Sequence, residues 1–305
     1  FDMKNIKLIL LFVSMVTFLS CSFEDDPIQF EYTMVSFPNQ NYVRNVIVGE
    51  GLEMNVGVTF SGIQNNTVKR EVGYEIDPTL VPAGKTVLPA DYYTLGHPST
   101  ITINKGKLDG YLNVKLDSVK FLSDPKSLTG EYVLPVKLVT KNNIDSINQG
   151  KNYMVISVSY FAKQEANYTY YGTVTKTKGG TTTTVRFKND PTQNNSFRLL
   201  RTTGPTTMKL IADPIGTNDP AKGSYSFLIN VPVTGGDVTI AADPASAIAV
   251  SPVASSSFDS AKRTFALSYT YTLNDGTVCN SADTLVYRNR IRDVQANGIY
   301  INDWR

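Results

Sequence analysis

A single histidine, His97, supplies all the imidazole in this chain, and a single tryptophan, Trp304, all the indole. His97 lies in Gly96-His97-Pro98, which reads as a turn, and no second histidine exists to complete an HExxH pair. The two cysteines, Cys21 and Cys279, are too few for a disulfide framework. Together with one histidine they fall short of a zinc site of the usual ligand types. No Gly-x-Ser-x-Gly elbow, Walker loop or GxGxxG occurs, and no aspartate-rich loop has EF-hand spacing. A net charge of +2 over 305 residues makes no strong field and removes the footprint of a nucleic-acid binder. Beyond residue 20 no apolar run approaches the roughly 20 residues that a membrane-spanning helix needs. The expectation is a protein that is not an enzyme and holds neither metal nor cofactor.

What is present begins with a leader. Lys4 and Lys7 precede an apolar run from Leu8 to Leu19, closed by Ser20-Cys21. Positive charge, a short apolar core and a small residue at a cut site form the layout of a secretory signal over residues 1–20. Phe18-Leu19-Ser20-Cys21 resembles a bacterial lipobox, although Phe18 stands where that pattern prefers leucine. The resemblance implies that Cys21 is lipidated and becomes the mature N-terminus. Each buried acyl methylene contributes about 0.8 kcal/mol, and two chains hold a protein at a membrane where one is marginal. Glu24, Asp25 and Asp26 resemble the surface-export signal of Bacteroidetes lipoproteins, so residues 21–27 are expected to be an acidic tether at the outer membrane, facing the cell exterior. The plainer alternatives are a signal peptide with an incidental cysteine, and a merely soluble linker.

From Gln29 onward the hydrophobic pattern has period two. Leu52, Met54, Val56, Val58 and Phe60 alternate with polar residues and glycine, as half-buried strands do. Val72-Tyr74-Ile76, Leu112-Val114-Leu116, Tyr132 to Leu138 and Met154 to Tyr160 repeat the pattern, and Tyr32 to Phe37 and Ile101 to Ile103 complete it. About seven short strands within residues 28–162 predict an immunoglobulin-like β-sandwich. Pro135 inside a strand pattern points to an edge strand or a bulge. A polar joint at Lys163-Gln164-Glu165-Ala166 opens a second β-rich domain, residues 163–305. There Tyr225 to Val231 and Phe265 to Tyr271 alternate, and Asn274-Asp275-Gly276 predicts a hairpin returning through Thr284 to Tyr287. The chain reads as all-β, without a helical pattern of any length.

Leu88-Pro89-Ala90-Asp91-Tyr92-Tyr93, Ile101-Thr102-Ile103, Gly110-Tyr111-Leu112-Asn113-Val114-Lys115-Leu116 and Gly130-Glu131-Tyr132-Val133-Leu134-Pro135-Val136 occur in this order. That order resembles an N-terminal domain of unknown function common in Bacteroidetes surface lipoproteins of SusC/SusD-type polysaccharide-utilisation loci. The second half resembles its β-rich C-terminal partner, which implies an antiparallel, lipocalin-like barrel or a second sandwich. It also implies non-catalytic capture of a polysaccharide or oligosaccharide for a SusC/SusD-like importer, with the first domain as spacer. The alternative is a structural or adhesin-like lipoprotein that assembles with a protein partner.

Sugar rings pack on aromatic faces while polar neighbours fix their hydroxyls, and tyrosine and tryptophan offer both an apolar body and a polar handle. Trp304 and Tyr300, beside Asn302 and Asp303, are candidates, with packing of the last strand as the plainer role. In Tyr168-Thr169-Tyr170-Tyr171, alternation sends Tyr168 and Tyr170 to one face and Tyr171 to the other, so Tyr171 is a third candidate. Arg288, Arg290 and Arg292 are spaced by two, suiting acidic sugars, a protein partner or merely a solvated strand edge. Four tripeptides, among them Asp283-Thr284-Leu285, resemble a short Bacteroidetes O-glycosylation motif.

Overall fold

The computed structural model describes residues 32–188, 197–211 and 225–290. Eleven strands build the first domain: β1 (Met34–Ser36), β2 (Asn41–Val48), β3 (Glu53–Ser61), β4 (Arg70–Ile76), β5 (Thr86–Val87), β6 (Tyr93–Leu95), β7 (Thr100–Ile103), β8 (Asp109–Leu116), β9 (Tyr132–Asn142), β10 (Ser146–Ile147) and β11 (Tyr153–Ala162). They form two sheets, ordered β10-β1-β3-β8-β6 and β2-β11-β9-β4-β7, with β5 added beside β9. The alternation in the sequence is what makes the sandwich: Met54, Val56, Val58 and Phe60 of β3 point inward and are buried, opposite Val72, Leu134, Val136 and Ile156 of the other sheet. β2 escapes the period-two reading, because most of its residues are only half-buried and its sequence mixes Asn and Arg with apolar residues.

Pro135 corrects one expectation. β9 is flanked on both sides, by β11 and by β4, and is not an edge. The Pro135 carbonyl accepts from the Asp77 N–H, so the missing N–H of Pro135 faces that same side. On that side β5 pairs with Tyr132 and Val133 while β4 begins its pairing at Val136. Proline thus occupies the gap between two neighbours, where no partner carbonyl waits for it. The bulge lies further along, where Gly73 faces Thr140 and Tyr74 faces Leu138.

Two short helices, Lys120–Ser123 and Pro125–Thr129, pack beside β11. Asp124 caps the second by accepting from the Lys126 N–H and also takes the hydroxyls of Tyr92 and Tyr132. At 4 and 5 residues they are too short to leave a 3.6-residue period in the sequence.

The second domain contains β12 (Ala166–Lys178), β13 (Thr181–Lys188), β14 (Arg198–Thr202), β15 (Thr207–Ile211), β16 (Ser226–Asn230), β17 (Gly236–Ala242), β18 (Val250–Pro252), β19 (Ser256–Asp259), β20 (Thr264–Thr272) and β21 (Val278–Asn289). It is a barrel and not a second sandwich: β12-β14-β15-β16-β17-β19-β20-β21 follow one another antiparallel, and β21 returns to pair with β12 along most of its length. Gly179 and Gly180, both at positive φ, turn β12 into β13. The Asn274-Asp275-Gly276 turn closes with the Leu273 N–H on the Thr277 carbonyl at 2.9 Å.

Eight strands leave a lumen just wide enough for side chains to fill. Tyr168, Tyr225, Phe227, Phe265 and Tyr269 fill it, each less than 2 % exposed. The rings of Phe227 and Tyr269 lie 4.7 Å apart and those of Tyr225 and Tyr271 4.6 Å apart. One buried ion pair crosses this core, Arg198 Nη1 to Asp283 Oδ2 at 2.6 Å. The Tyr269 hydroxyl accepts from Arg198 and donates to Asp283, and Ser281 Oγ donates to the other carboxylate oxygen. Burial pushes the Tyr269 hydroxyl pKa up, which keeps it a donor. Cys279 is a fully buried free thiol in the same interior.

Candidate functional site

A filled lumen moves any ligand contact to the barrel's outside. Along β12, Ala166, Tyr168 and Val174 face inward and are buried, so Thr169, Tyr171 and Thr173 face out. Tyr171 is 47 % exposed. Its cross-strand neighbours are Thr284 on β21 and Lys188 on β13. Tyr170 points the other way, its ring 5.9 Å from that of Phe187 and 4.6 Å beneath the Arg198 guanidinium.

Arg288 stands on the same outer wall. The register of β12 against β21 slips between Asn167 and Tyr168, which leaves Arg288 as the extra residue of a bulge. Its guanidinium lies 3.8 Å over the ring of Phe197, just before β14. Two of the candidate residues, Tyr171 and Arg288, thus share one wall but stand apart on it, since Tyr171 pairs with Thr284, four residues before Arg288; beside Arg288 lies a phenylalanine, Phe197, that carries no mark in the sequence. Its position depends on β14 pairing with the start of β12, through Arg198 opposite Tyr168.

Arg290 goes elsewhere. It is 7 % exposed, so neither a solvated edge nor a sugar-facing position describes it. Its Nη2 reaches Glu50 Oε1 at 3.1 Å, and its guanidinium lies 5.3 Å from the ring centre of Phe161. Glu50 follows β2 in the first domain, so Arg290 ties barrel to sandwich. Lys163 Nζ approaches the same Glu50 oxygen at 3.9 Å. The Ala162 N–H donates to Thr202 Oγ1 at 2.9 Å, and the Thr202 N–H donates to Glu165 at 2.7 Å. The polar joint is thus a hydrogen-bonded corner. In the Asp283-Thr284-Leu285 tripeptide, Asp283 is buried in the Arg198 pair while Thr284, which carries the hydroxyl, is half-buried on the outer wall.

Cys21, Glu24, Asp25, Asp26, Arg292, Tyr300 and Trp304 lie outside the described residues. Among the described residues no group of three or more His, Cys, Asp or Glu side chains is arranged to hold a metal. No helix among them is long and apolar enough to cross a membrane.

Residues 28–145 match the model of a family described as an N-terminal domain. No curated protein matches the chain. Among solved structures, a protein of unknown function from Bacteroides ovatus is 23% identical with a TM-score of 0.72, over 85% of this chain and 95% of that one. A second B. ovatus protein of unknown function covers the same shares at 15% identity and a TM-score of 0.43. An auxiliary nutrient binding protein from Bacteroides thetaiotaomicron is 16% identical with a TM-score of 0.40, over 80% of this chain and 89% of that one. The first of these shares the fold across both domains.

Proposed function

We propose, from the match of residues 28–145 to the model of a family described as an N-terminal domain, that this protein is a non-catalytic, lipid-anchored surface protein that captures a glycan for a SusC/SusD-like importer. The observation that carries the reading is the exposed ring of Tyr171 on the outer wall of a barrel whose lumen is filled. Thr284 and Lys188 flank it across the two neighbouring strands, and the Arg288–Phe197 stack lies further along the same wall. An aromatic face flanked by donors is what a sugar ring and its hydroxyls require. The leader through Cys21 and the acidic cluster Glu24, Asp25 and Asp26 supply the anchor and the outward-facing address. A glycan-array screen of the soluble form from Ile28 tests the reading. A defined oligosaccharide that binds wild type and is weakened by Tyr171→Ala and Arg288→Ala is expected. Binding that both variants keep in full moves the site off this wall.

One observation favours a protein partner instead. β13 pairs on one side only among the described residues, and seven of its eight residues are exposed. Such an edge accepts a strand from another chain. A proline at Thr183, whose cross-strand partner is Lys176, separates the two readings: it should abolish recovery of a partner from crosslinked outer membranes and leave glycan binding intact.

A further inference from the structure

The first domain carries a feature that a spacer does not need. On β8, Gly110, Leu112 and Val114 are buried, so Asp109, Tyr111 and Asn113 line the outer face of the five-stranded sheet. Tyr111 is 56 % exposed. Its cross-strand partner on β3 is Gly57, and a Cβ built on Gly57 would stand 3.0 Å from Cε1 and 3.2 Å from Cδ1 of the Tyr111 ring. The ring therefore lies down across the sheet, over the space that a side chain would take. Its hydroxyl donates to Asp109, which holds the outer end.

Beside this ring is an open hollow of about 360 Å³, lined by His97, Thr102, Asn104, Lys107, Asp109 and Tyr111. That volume sits at the small end of the roughly 300–1,000 Å³ range of small-molecule sites. Two of its lining segments are held from beneath by residues that do not line the hollow. The Asn66 amide, 3 % exposed, donates to the carbonyls of Asn104 and Lys107, at 3.0 Å each, and Arg70 Nε fixes that amide by donating to its oxygen at 2.8 Å. The buried Tyr74 hydroxyl donates to the His97 carbonyl. Gly110 lets the floor close: a Cβ there would stand 2.6 Å from the Thr102 carbonyl oxygen.

We propose that this hollow and the Tyr111 ring form a second saccharide site, taking one neutral pyranose unit with its apolar face on Tyr111 and its hydroxyls among Asn104, Lys107, Asp109 and His97. Covering Gly57 explains why a ring lies there. It does not explain two loop segments, at His97 and at Asn104 to Lys107, hydrogen-bonded from beneath beside that ring, which is the preorganisation that weak polar ligands need. Lys107 and Asp109 offset one another in charge, and Asp109, which accepts the Tyr111 hydroxyl, keeps further acceptor capacity for a ligand hydroxyl. A single lysine suits an uncharged polyol better than a phosphate or a polyanion. The ligand class rests on the glycan-binding reading above; the position does not, because it shares no residue with the barrel wall.

The test is saturation-transfer NMR and titration calorimetry on the soluble chain from Ile28, using maltoheptaose, laminarihexaose, mannohexaose and the matching monosaccharides as probes. Wild type, Tyr111→Ala, Lys107→Ala and Tyr171→Ala are compared, each with its melting temperature. The proposal expects Tyr111→Ala and Lys107→Ala each to weaken one binding event about tenfold or more, while Tyr171→Ala leaves that event in place. Lys107→Ala keeps the test sound if Tyr111→Ala unfolds the sheet. Binding lost in Tyr171→Ala and unchanged in both first-domain variants overturns this proposal and leaves the wall reading standing. No binding of any probe by folded wild type overturns both.

Discussion

Glu50 Oε1 stands 3.1 Å from Arg290 Nη2, joining residues 240 positions apart in the chain. The side chains are 17 % and 6 % exposed, so the contact is largely shielded from water. A group on the barrel wall is thereby held at a defined attitude to the sandwich.

Removing that carboxylate should therefore be felt in both domains. Glu50→Ala is expected to cost about 2 kcal/mol, because a desolvated guanidinium loses its charged acceptor. Calorimetry should show the single unfolding transition broaden or split. Gly49→Ala should act at the same place by a different route: Gly49 has φ +87°, and a Cβ there would meet Val233 Cγ1 at 2.4 Å. Unchanged transitions in both variants would mean that the corner is not what joins the domains.

Arg198 and Asp283 make a sharper prediction. Arg198→Met leaves the Asp283 carboxylate buried with only hydroxyl donors, which should cost about 3–5 kcal/mol in urea denaturation. The double variant Arg198→Met/Asp283→Leu removes both charges and should recover most of that loss. A double variant as unstable as the single would show that the pair also fixes the barrel's packing.

Acid should weaken the barrel through Asp243. Lys209 Nζ at 2.6 Å, Ser226 Oγ at 2.6 Å and the Ala245 N–H at 3.0 Å hold its carboxyl pKa down to about 2, against an ordinary 3.8. A group whose pKa is depressed on folding contributes stability above the unfolded value and loses it as protons are taken up. The contribution is thus complete above about pH 4 to 5 and declines towards pH 2. Melting temperatures of Asp243→Asn should lie below wild type at pH 6 and converge with it near pH 2. Parallel curves across that range would contradict the assignment.

Much of the architecture could be read from residue patterns whose cause is local. The β3 alternation and the Asn274-Asp275-Gly276 turn depend on neighbours in sequence, and both stand where the pattern put them. What was misread depends on distant strands. Pro135 looked like an edge residue because nothing local tells that β5 hands over to β4 beside it. Arg290 looked solvent-facing because its partner, Glu50, belongs to the other domain. Tyr111 was absorbed into a strand motif; alternation along β8 sets its face, but the seat of its ring on Gly57 depends on a cross-strand register that one sequence does not display. Tyr171 was legible because alternation along β12 alone sets its face.

Sugar binding on the barrel wall through Tyr171 can be tested directly. The measurement is titration calorimetry of Tyr171→Ala against wild type with the oligosaccharide that the array selects. The expected result is affinity at least about tenfold weaker, equivalent to ~1.4 kcal/mol, with an unchanged melting temperature, since this ring stands outside the core. Equal affinity in a folded variant would contradict it.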